Sequence, residues 1–210
     1  MNKRGFGLLL SLALVGAALG CGLGGTSADD PTATPIPSWK RFEGGGAELW
    51  LPESYEGGNI AEDVETVADT LRQLGPDFEQ MAQLIEQNPD MYAIWAFDMH
   101  VGDLGFLTNV NVIREQVMSA TTLDAHMDAA LAQLPSQFQV TDREAATLGD
   151  LQAGRVIILF DIGGMQGAGL MYVAKDDNTM WVITYATSAS EFDQRLSTFE
   201  ESAGTFAILD

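Results

Sequence analysis

The sequence predicts an α+β domain in which α-helices pack against an antiparallel β-sheet. Strand-like runs come in consecutive pairs joined by short turns rich in Gly, Asp or Asn, which is typical of antiparallel hairpins. Runs with apolar residues every three or four positions, typical of helices, lie between these pairs. The composition is 46% apolar, enough for a sizeable core. We therefore expect one domain over residues 38–210.

The domain is predicted to open with a hairpin. A glycine-rich turn at 43–46 separates strands at 39–42 and 47–52. Leu49 alternates with Glu48, so we expect Leu49 in the core and Glu48 on the outer face.

Two helices are predicted next, between residues 60 and 87. The first carries one apolar stripe, and Asn59 with Glu62 is typical of a capping box at its start. The stripe residues are Ile60, Val64, Val67, Leu71 and Leu74. Gly75-Pro76 ends this helix, and the second one, with Ile85 on its stripe, ends at Asn88-Pro89.

The middle of the chain alternates strands and a helix. Strands are predicted at 92–97 and 106–114, and Thr122 is expected to cap a helix that runs to Leu134. In the second strand, Val110 and Val112 face one way, while Asn109 and Asn111 face the other.

The last part is predicted to be strand-rich. Four strands are expected, at 138–141, 155–162, 168–174 and 179–186. Residues 156–160 are apolar throughout, which favours a central place in the sheet. A tight turn is expected at Lys175 to Asn178, then a helix from Ser190 to Gly204 and a short strand at 205–209.

Cys21 is the only cysteine, and the segment before it has the features of an export signal. Lys3 and Arg4 precede an apolar run from Phe6 to Leu19, which is followed by the small residue Gly20. The run Ala18-Leu19-Gly20-Cys21 resembles the lipobox of bacterial lipoproteins, in which the cysteine is lipidated. Residues 1–20 are then a signal peptide, and residues 21–37 are a polar, Pro-rich linker. Plain secretion and an uncleaved anchor are the alternatives.

The formal charge of −20, which becomes −22 without Lys3 and Arg4, limits the partners. Such a surface repels nucleic-acid phosphates and anionic headgroups, so we expect no nucleic-acid partner. It either serves solubility alone or attracts cations or a basic partner.

Two short segments are candidates for a site. Asp98, His100 and Asp103 lie within one turn between strands and could converge on a metal ion, although a solvated polar loop is the competing interpretation. His126 lies beside the apolar stripe of its helix, as a boundary residue rather than a ligand. We expect no bound metal and no cofactor.

Two further features are candidates for contact with a partner protein. Gly164 and Gly167 belong to a glycine-rich run followed by a strand, which favours a flexible hairpin loop over a phosphate-binding loop. Trp50 is opposite in phase to Leu49 and Leu51 and is therefore the tryptophan most expected at the surface.

The order of elements resembles that of the PsbP-like family, whose members include extrinsic photosystem proteins and many bacterial lipoproteins. Four places carry the resemblance: the hairpin 39–52 followed by Glu53-Ser54-Tyr55, the strand and helix at 109–134, the run 147–156, and the strand, helix and strand at 181–208. The helices at 60–87 look like an insertion. The resemblance implies an antiparallel sheet with flanking helices, and no functional residue carries over from it.

These observations predict a lipid-anchored, extracytoplasmic binding or assembly module of PsbP-like type that is not an enzyme. Its expected partners are the membrane, through Cys21, and a protein of the cell envelope. A surface lipoprotein that binds a small solute or a divalent cation is the alternative. An extracytoplasmic hydrolase is less well supported, because the sequence has no G-x-S-x-G motif and its one thiol is committed to the lipid.

Lipidation can be tested by growing cells with a labelled fatty acid. We expect label on the wild-type protein and none on Cys21→Ser, because acylation requires the thiol. Ser27→Ala, which leaves the lipobox intact, should be labelled as wild type. Equal labelling of Cys21→Ser would contradict the anchor.

Overall fold

A computed structural model describes residues 36–74, 79–87, 92–102, 105–162 and 164–209. The segment 1–35, with the predicted signal peptide and Cys21, lies outside the described residues. In chain order the elements are β1 Trp39–Gly44, β2 Ala47–Pro52, β3 Tyr55–Gly58, α1 Ile60–Leu74, α2 Glu79–Gln87, β4 Tyr92–Asp98, β5 Asn109–Gln116, α3 Leu123–Ala132, β6 Phe138–Leu148, β7 Leu151–Ile162, β8 Met165–Asp176, β9 Thr179–Ser188, α4 Phe192–Ala203 and β10 Ala207–Ile208.

The strands form two antiparallel sheets, which confirms the predicted α+β class. The larger sheet has seven strands in the order β3-β4-β5-β9-β8-β7-β6, and the smaller has the order β1-β2-β10. Each pairing is antiparallel. The smaller sheet joins the first hairpin to the last strand.

The main core lies between one face of the seven-stranded sheet and a layer made of the small sheet and α4. It contains Leu49 and Leu51 of β2, Val110 and Val112 of β5, and Phe199 of α4, all of them buried. The predicted inward faces of β2 and β5 are therefore confirmed.

The opposite face of the large sheet carries the other three helices in two separate clusters. Val67 and Leu71 of α1, with Ile85 of α2, pack on Tyr92 and Trp95 of β4. The second cluster places α3 on the other end of the sheet. It contains Met127, Val156, Ile158, Met171, Val173 and Met180.

The strand predicted at 155–162, which is β7 in the structure, does not have the central position that its apolar run had predicted. β7 is next to the edge strand β6, and β9 occupies the middle of the seven. Val156 and Ile158 lie under α3, whereas Leu159 is 40% exposed. Burial under a helix produces the same apolar run as a central position, because both remove side chains from water.

Strand β6 extends to Leu148, seven residues beyond the predicted end at residue 141. This part of the strand was not predicted because residues 139–145 are exposed at the sheet edge and include charged side chains, so they lack the alternating apolar pattern of a strand. The register shifts between Val140 and Asp142, which is a bulge. Charges and a bulge both protect an open edge from pairing with another chain.

Glu48 does not face outward to solvent, as its alternation had predicted. It is fully buried, and its carboxylate pairs with the Arg41 guanidinium of the neighbouring strand. A buried carboxylate needs such a partner, and the partner is set by the β1–β2 register rather than by local pattern.

Several element ends differ from the predicted ones. β3, with the sequence YEGG, was not predicted, since its glycines are typical of a turn. β5 begins at Asn109 rather than at residue 106. α4 begins at Phe192 after Glu191, which makes no side-chain cap, so the predicted start at Ser190 was wrong. Gly204 ends α4 as expected, and the Asp177-Asn178 turn joins β8 to β9.

Gly44 lets the first hairpin lie against the large sheet. A Cβ at this position would be 2.0 Å from the Ala93 carbonyl oxygen of β4. Because that oxygen belongs to the backbone, no side-chain rotation could relieve the clash. The glycine at the end of β1 is therefore required by packing.

The cap of α3 gives a test of the local structure. The Thr122 hydroxyl accepts a hydrogen bond from the Ala125 N–H at 3.2 Å, as predicted. We expect Thr122→Ala to lower the free energy of unfolding by about 1 kcal/mol, measured by urea denaturation. The neighbouring Thr121→Ala should have a smaller effect, and equal losses would argue against the cap.

Candidate functional site

A cavity of about 90 Å³ lies on the helical face of the large sheet. The pair α1 and α2 packs on β4, and α3 packs on β7 and β8. Strands β5 and β9 run between these two helical clusters, and residues of both strands line the cavity. The site is therefore a gap between two packed clusters.

Two small residues deepen the floor of this cavity. Cross-strand pairing aligns Asn109, Ala186, Gly169 and Ile158 in one row across four strands. At its centre, Ala186 and Gly169 raise almost no side chain above the sheet. The Ile158 side chain lies close to Gly169, since a Cβ there would be 3.2 Å from Ile158 Cγ1. The floor is lower at Ala186 and Gly169 than in the neighbouring row, which carries Asn111, Thr184 and Met171.

The neighbouring row places two polar side chains in the apolar floor. Asn111 pairs with Thr184, between Trp95 on one side and Met171 on the other. Both Asn111 and Thr184 are half-buried and line the cavity. An apolar pocket with a few placed polar groups is typical of small-molecule sites.

Asn109 has a structural role at the edge of the same floor. Its side-chain oxygen accepts a hydrogen bond from Trp95 Nε1 at 3.4 Å, and its amide donates to the Leu107 carbonyl at 3.1 Å. Because both groups are engaged, Asn109 holds Trp95 in the wall, whereas Asn111 faces the cavity.

One end of the cavity carries an ionisable pair. His126 Nε2 of α3 lies 3.5 Å from Glu115 Oε2 of β5. Burial raises the pKa of Glu115 and lowers the pKa of His126. Both shifts favour the neutral form, because charged groups lose hydration in the apolar surroundings. His126 had been predicted as a boundary residue, and the structure places it in the cavity wall.

Asp98, the first of the predicted metal candidates, is engaged by an arginine. Arg195 Nη1 of α4 lies 2.7 Å from Asp98 Oδ2, and the His100 N–H donates to Oδ1 at 3.1 Å. Burial acts to raise the pKa of Asp98. The hydrogen bonds from Arg195, His100 and Ser54 outweigh it, so the pKa lies below the usual range. This carboxylate ties β4 to α4.

The other metal candidates do not complete a site. His100 is 81% exposed, with Nδ1 3.1 Å from Asp98 Oδ1, and Asp103 lies outside the described residues. Within the described ranges, no three His, Cys, Asp or Glu side chains are grouped so that they could hold a metal ion.

The predicted partner-contact residues lie apart from the cavity. Trp50 is half-buried in β2 rather than fully exposed. Gly164 is exposed in the β7–β8 turn with φ +89°, a conformation that suits glycine. Gly167 is inside β8, where a Cβ would be 2.1 Å from the Phe160 ring. The expected loop is thus a tight turn, and the glycine at 167 serves packing.

A larger, open cavity of about 590 Å³ lies beside the first hairpin. Glycines of the 44–46 turn and of β3 line much of it. Its basic residues already have partners, since Lys40 pairs with Glu56 at 2.8 Å and Arg41 pairs with Glu43 and Glu48. The smaller cavity is the better candidate, because it offers an apolar surface and side chains without a strong partner.

The sequence indicated the polar face of β5 but not the other elements that line this cavity. The alternation of Asn109 and Asn111 with valines showed that β5 has a polar face. No local pattern could show that this face lies beside β9, since β5 and β9 are more than 60 residues apart in the chain.

Within the described part of the chain, the helices lack the combination of length and apolar character needed to cross a bilayer.

The fold is similar to those of solved bacterial proteins. Cyanobacterial PsbP (CyanoP) from Synechocystis sp. PCC 6803 matches with a TM-score of 0.53 and 16% identity, over 89% of this chain and 98% of that one. LpqN, involved in cell envelope biogenesis of Mycobacterium tuberculosis, matches with a TM-score of 0.52 and 13% identity, over 78% and 83%. No protein-family model and no curated protein sequence matches the chain. The chain therefore has the PsbP-like fold.

The Asp98–Arg195 pair gives a stability test. We expect Asp98→Asn to lower the free energy of unfolding by about 2 kcal/mol, because it removes the buried carboxylate that pairs with Arg195 and leaves this half-buried arginine with Glu191 as its remaining described partner. Since folding lowers the pKa of Asp98, its contribution is present above the ordinary aspartate pKa and is lost as pH falls through the lower folded value.

Urea denaturation at several pH values measures both effects. The difference between wild type and Asp98→Asn should shrink toward acidic pH. Asp150→Asn, at an exposed turn position, should behave as wild type at each pH. A difference that grows on acidification would contradict this assignment.

Proposed function

We propose that the protein is a non-catalytic binding module, held at the extracytoplasmic face of the membrane by a lipid on Cys21. The observation that carries the binding role is the sheet-face cavity. It combines an apolar floor with two polar side chains, Asn111 and Thr184, and an ionisable pair at one end. The anchor is supported by the lipobox-like run before Cys21.

Asp98 supports binding rather than catalysis, because its buried carboxylate pairs with Arg195. A carboxylate whose pKa is lowered by an arginine is a poor general acid or base near neutral pH. The exposed carboxylate of Glu200 contacts Arg155 at 2.7 Å. These pairs connect α4 to the sheet and so have structural roles.

Among the binding roles, the cavity best supports a small solute. Its volume of about 90 Å³ corresponds to about three water molecules. A divalent cation is less well supported, because Arg195 already engages Asp98. The similarity to LpqN, which is involved in cell envelope biogenesis, agrees with an envelope location.

A variant that fills the cavity tests the binding role. Thr184→Leu adds apolar volume to the floor and should abolish ligand binding, measured by thermal shift against a panel of solutes and ions. Thr147→Leu makes the same change on the exposed edge strand β6 and should keep the response. Turnover on a hydrolase panel that disappears in Asp98→Asn would overturn the proposal.

A further inference from the structure

We propose that the sheet-face cavity binds a small organic cation, a branched aliphatic amine with its ammonium group at Glu115. This inference rests on the proposed binding function and adds the chemical class of the ligand. It is carried by the charges at one end of the cavity, by the apolar floor beside them, and by the enclosed volume.

The charge argument begins with Glu115. Its side chain is 24% exposed, so this end of the cavity reaches solvent. Among the described residues its ion-pair partner is His126, and burial favours the neutral imidazole. Glu115 therefore lacks a described cation of its own, and burial raises the pKa of its carboxyl group. An ammonium group would stabilise the charged carboxylate through a charge-assisted hydrogen bond.

The floor next to Glu115 suits an aliphatic chain. Ile113 precedes it by two residues on the same face of β5 and pairs with Val182, which pairs with Val173. Met127 of α3 also lines the cavity. A branched chain placed over these side chains would leave water while its nitrogen stays at Glu115.

The net charge of the whole chain, as well as the site, favours a positively charged ligand. The formal charge is −20, so the surrounding potential concentrates cations and repels anions. An aliphatic carboxylate of the same shape would be repelled both by this potential and by Glu115. We therefore expect the amine to bind more tightly than its anionic analogue because of charge repulsion. We expect it to bind more tightly than its neutral analogue because only the amine forms an ion pair with Glu115.

The volume limits the ligand. About 90 Å³ is about three water volumes, which suits about five non-hydrogen atoms. Isobutylamine has this size, and a ligand so small is expected to bind with a dissociation constant of about a millimolar.

Three molecules of one shape test the proposal: isobutylamine, isobutanol and isobutyrate. Each is titrated into the full chain in a nonionic detergent, with empty micelles as the blank, and binding is measured calorimetrically. We expect the amine to bind about tenfold more tightly than the alcohol, and isobutyrate to bind weakest, since only the amine can pair with Glu115.

Variants assign the charge to one residue. Glu115→Gln should reduce the amine affinity to that of the alcohol, whereas Glu115→Asp, which keeps the charge, should retain part of it. Glu201→Gln, at an exposed position of α4, should bind the amine as wild type. Circular dichroism and the melting temperature confirm that each variant is folded.

Methyl-labelled methionines locate the ligand. Met127 and Met171 line the cavity, and Met118 is 79% exposed. We expect the amine to shift the NMR signals of the first two and not that of Met118, and Thr184→Leu to remove the shifts.

The outcomes separate the two proposals. Equal affinities for amine and alcohol, with shifts at Met127 and Met171, would overturn the cation assignment and leave the binding function standing. Amine binding without these shifts, or undiminished in Thr184→Leu, would place the amine on the acidic surface and overturn the site. No binding of any of the three molecules would overturn the cation assignment, and a flat response to the whole solute panel would also overturn the binding function.

Discussion

The pairing of β5 with β9 is the constraint on which the large sheet depends. Strands β3, β4 and β5 lie on one side of this ladder, and β9 to β6 lie on the other. Eight residue pairs, from Asn109–Ala186 to Gln116–Thr179, align the two parts. The buried hydroxyls of Thr108 and Thr187, 2.8 Å apart, extend the connection beyond the ladder. This register sets which side chains meet in every row that crosses the sheet.

The two faces of the large sheet are covered in different ways. On one face, the small sheet and α4 cover the central strands and form a continuous core. On the other face, the helices pack at the two ends in separate clusters. The cavity lies between them, where Asn111 and Thr184 are neighbours only because β5 and β9 pair.

Polar contacts attach α4 to the rest of the molecule. Arg195 reaches Asp98 at the end of β4, and Glu200 receives Arg155 from β7. Between them, the Ser202 hydroxyl accepts from the Tyr185 hydroxyl and donates to the Trp50 carbonyl. In a chain with 30 acids and 10 bases, these two arginines are used to join α4 to the large sheet, and their ion pairs hold the layers together.

The sequence by itself determined the α+β class, the inward valines of β5, the cap at Thr122 and the order of the helices and strands apart from β3. Each of these depends on residues close in the chain, through alternation, helical spacing or a local hydrogen bond. Tertiary structure alone decided that β9 is central, that Glu48 is buried against Arg41, and that Asp98 pairs with an arginine 97 residues away. It also decided the cavity, because an empty space is defined by residues from several strands and a helix, and no single segment carries its pattern.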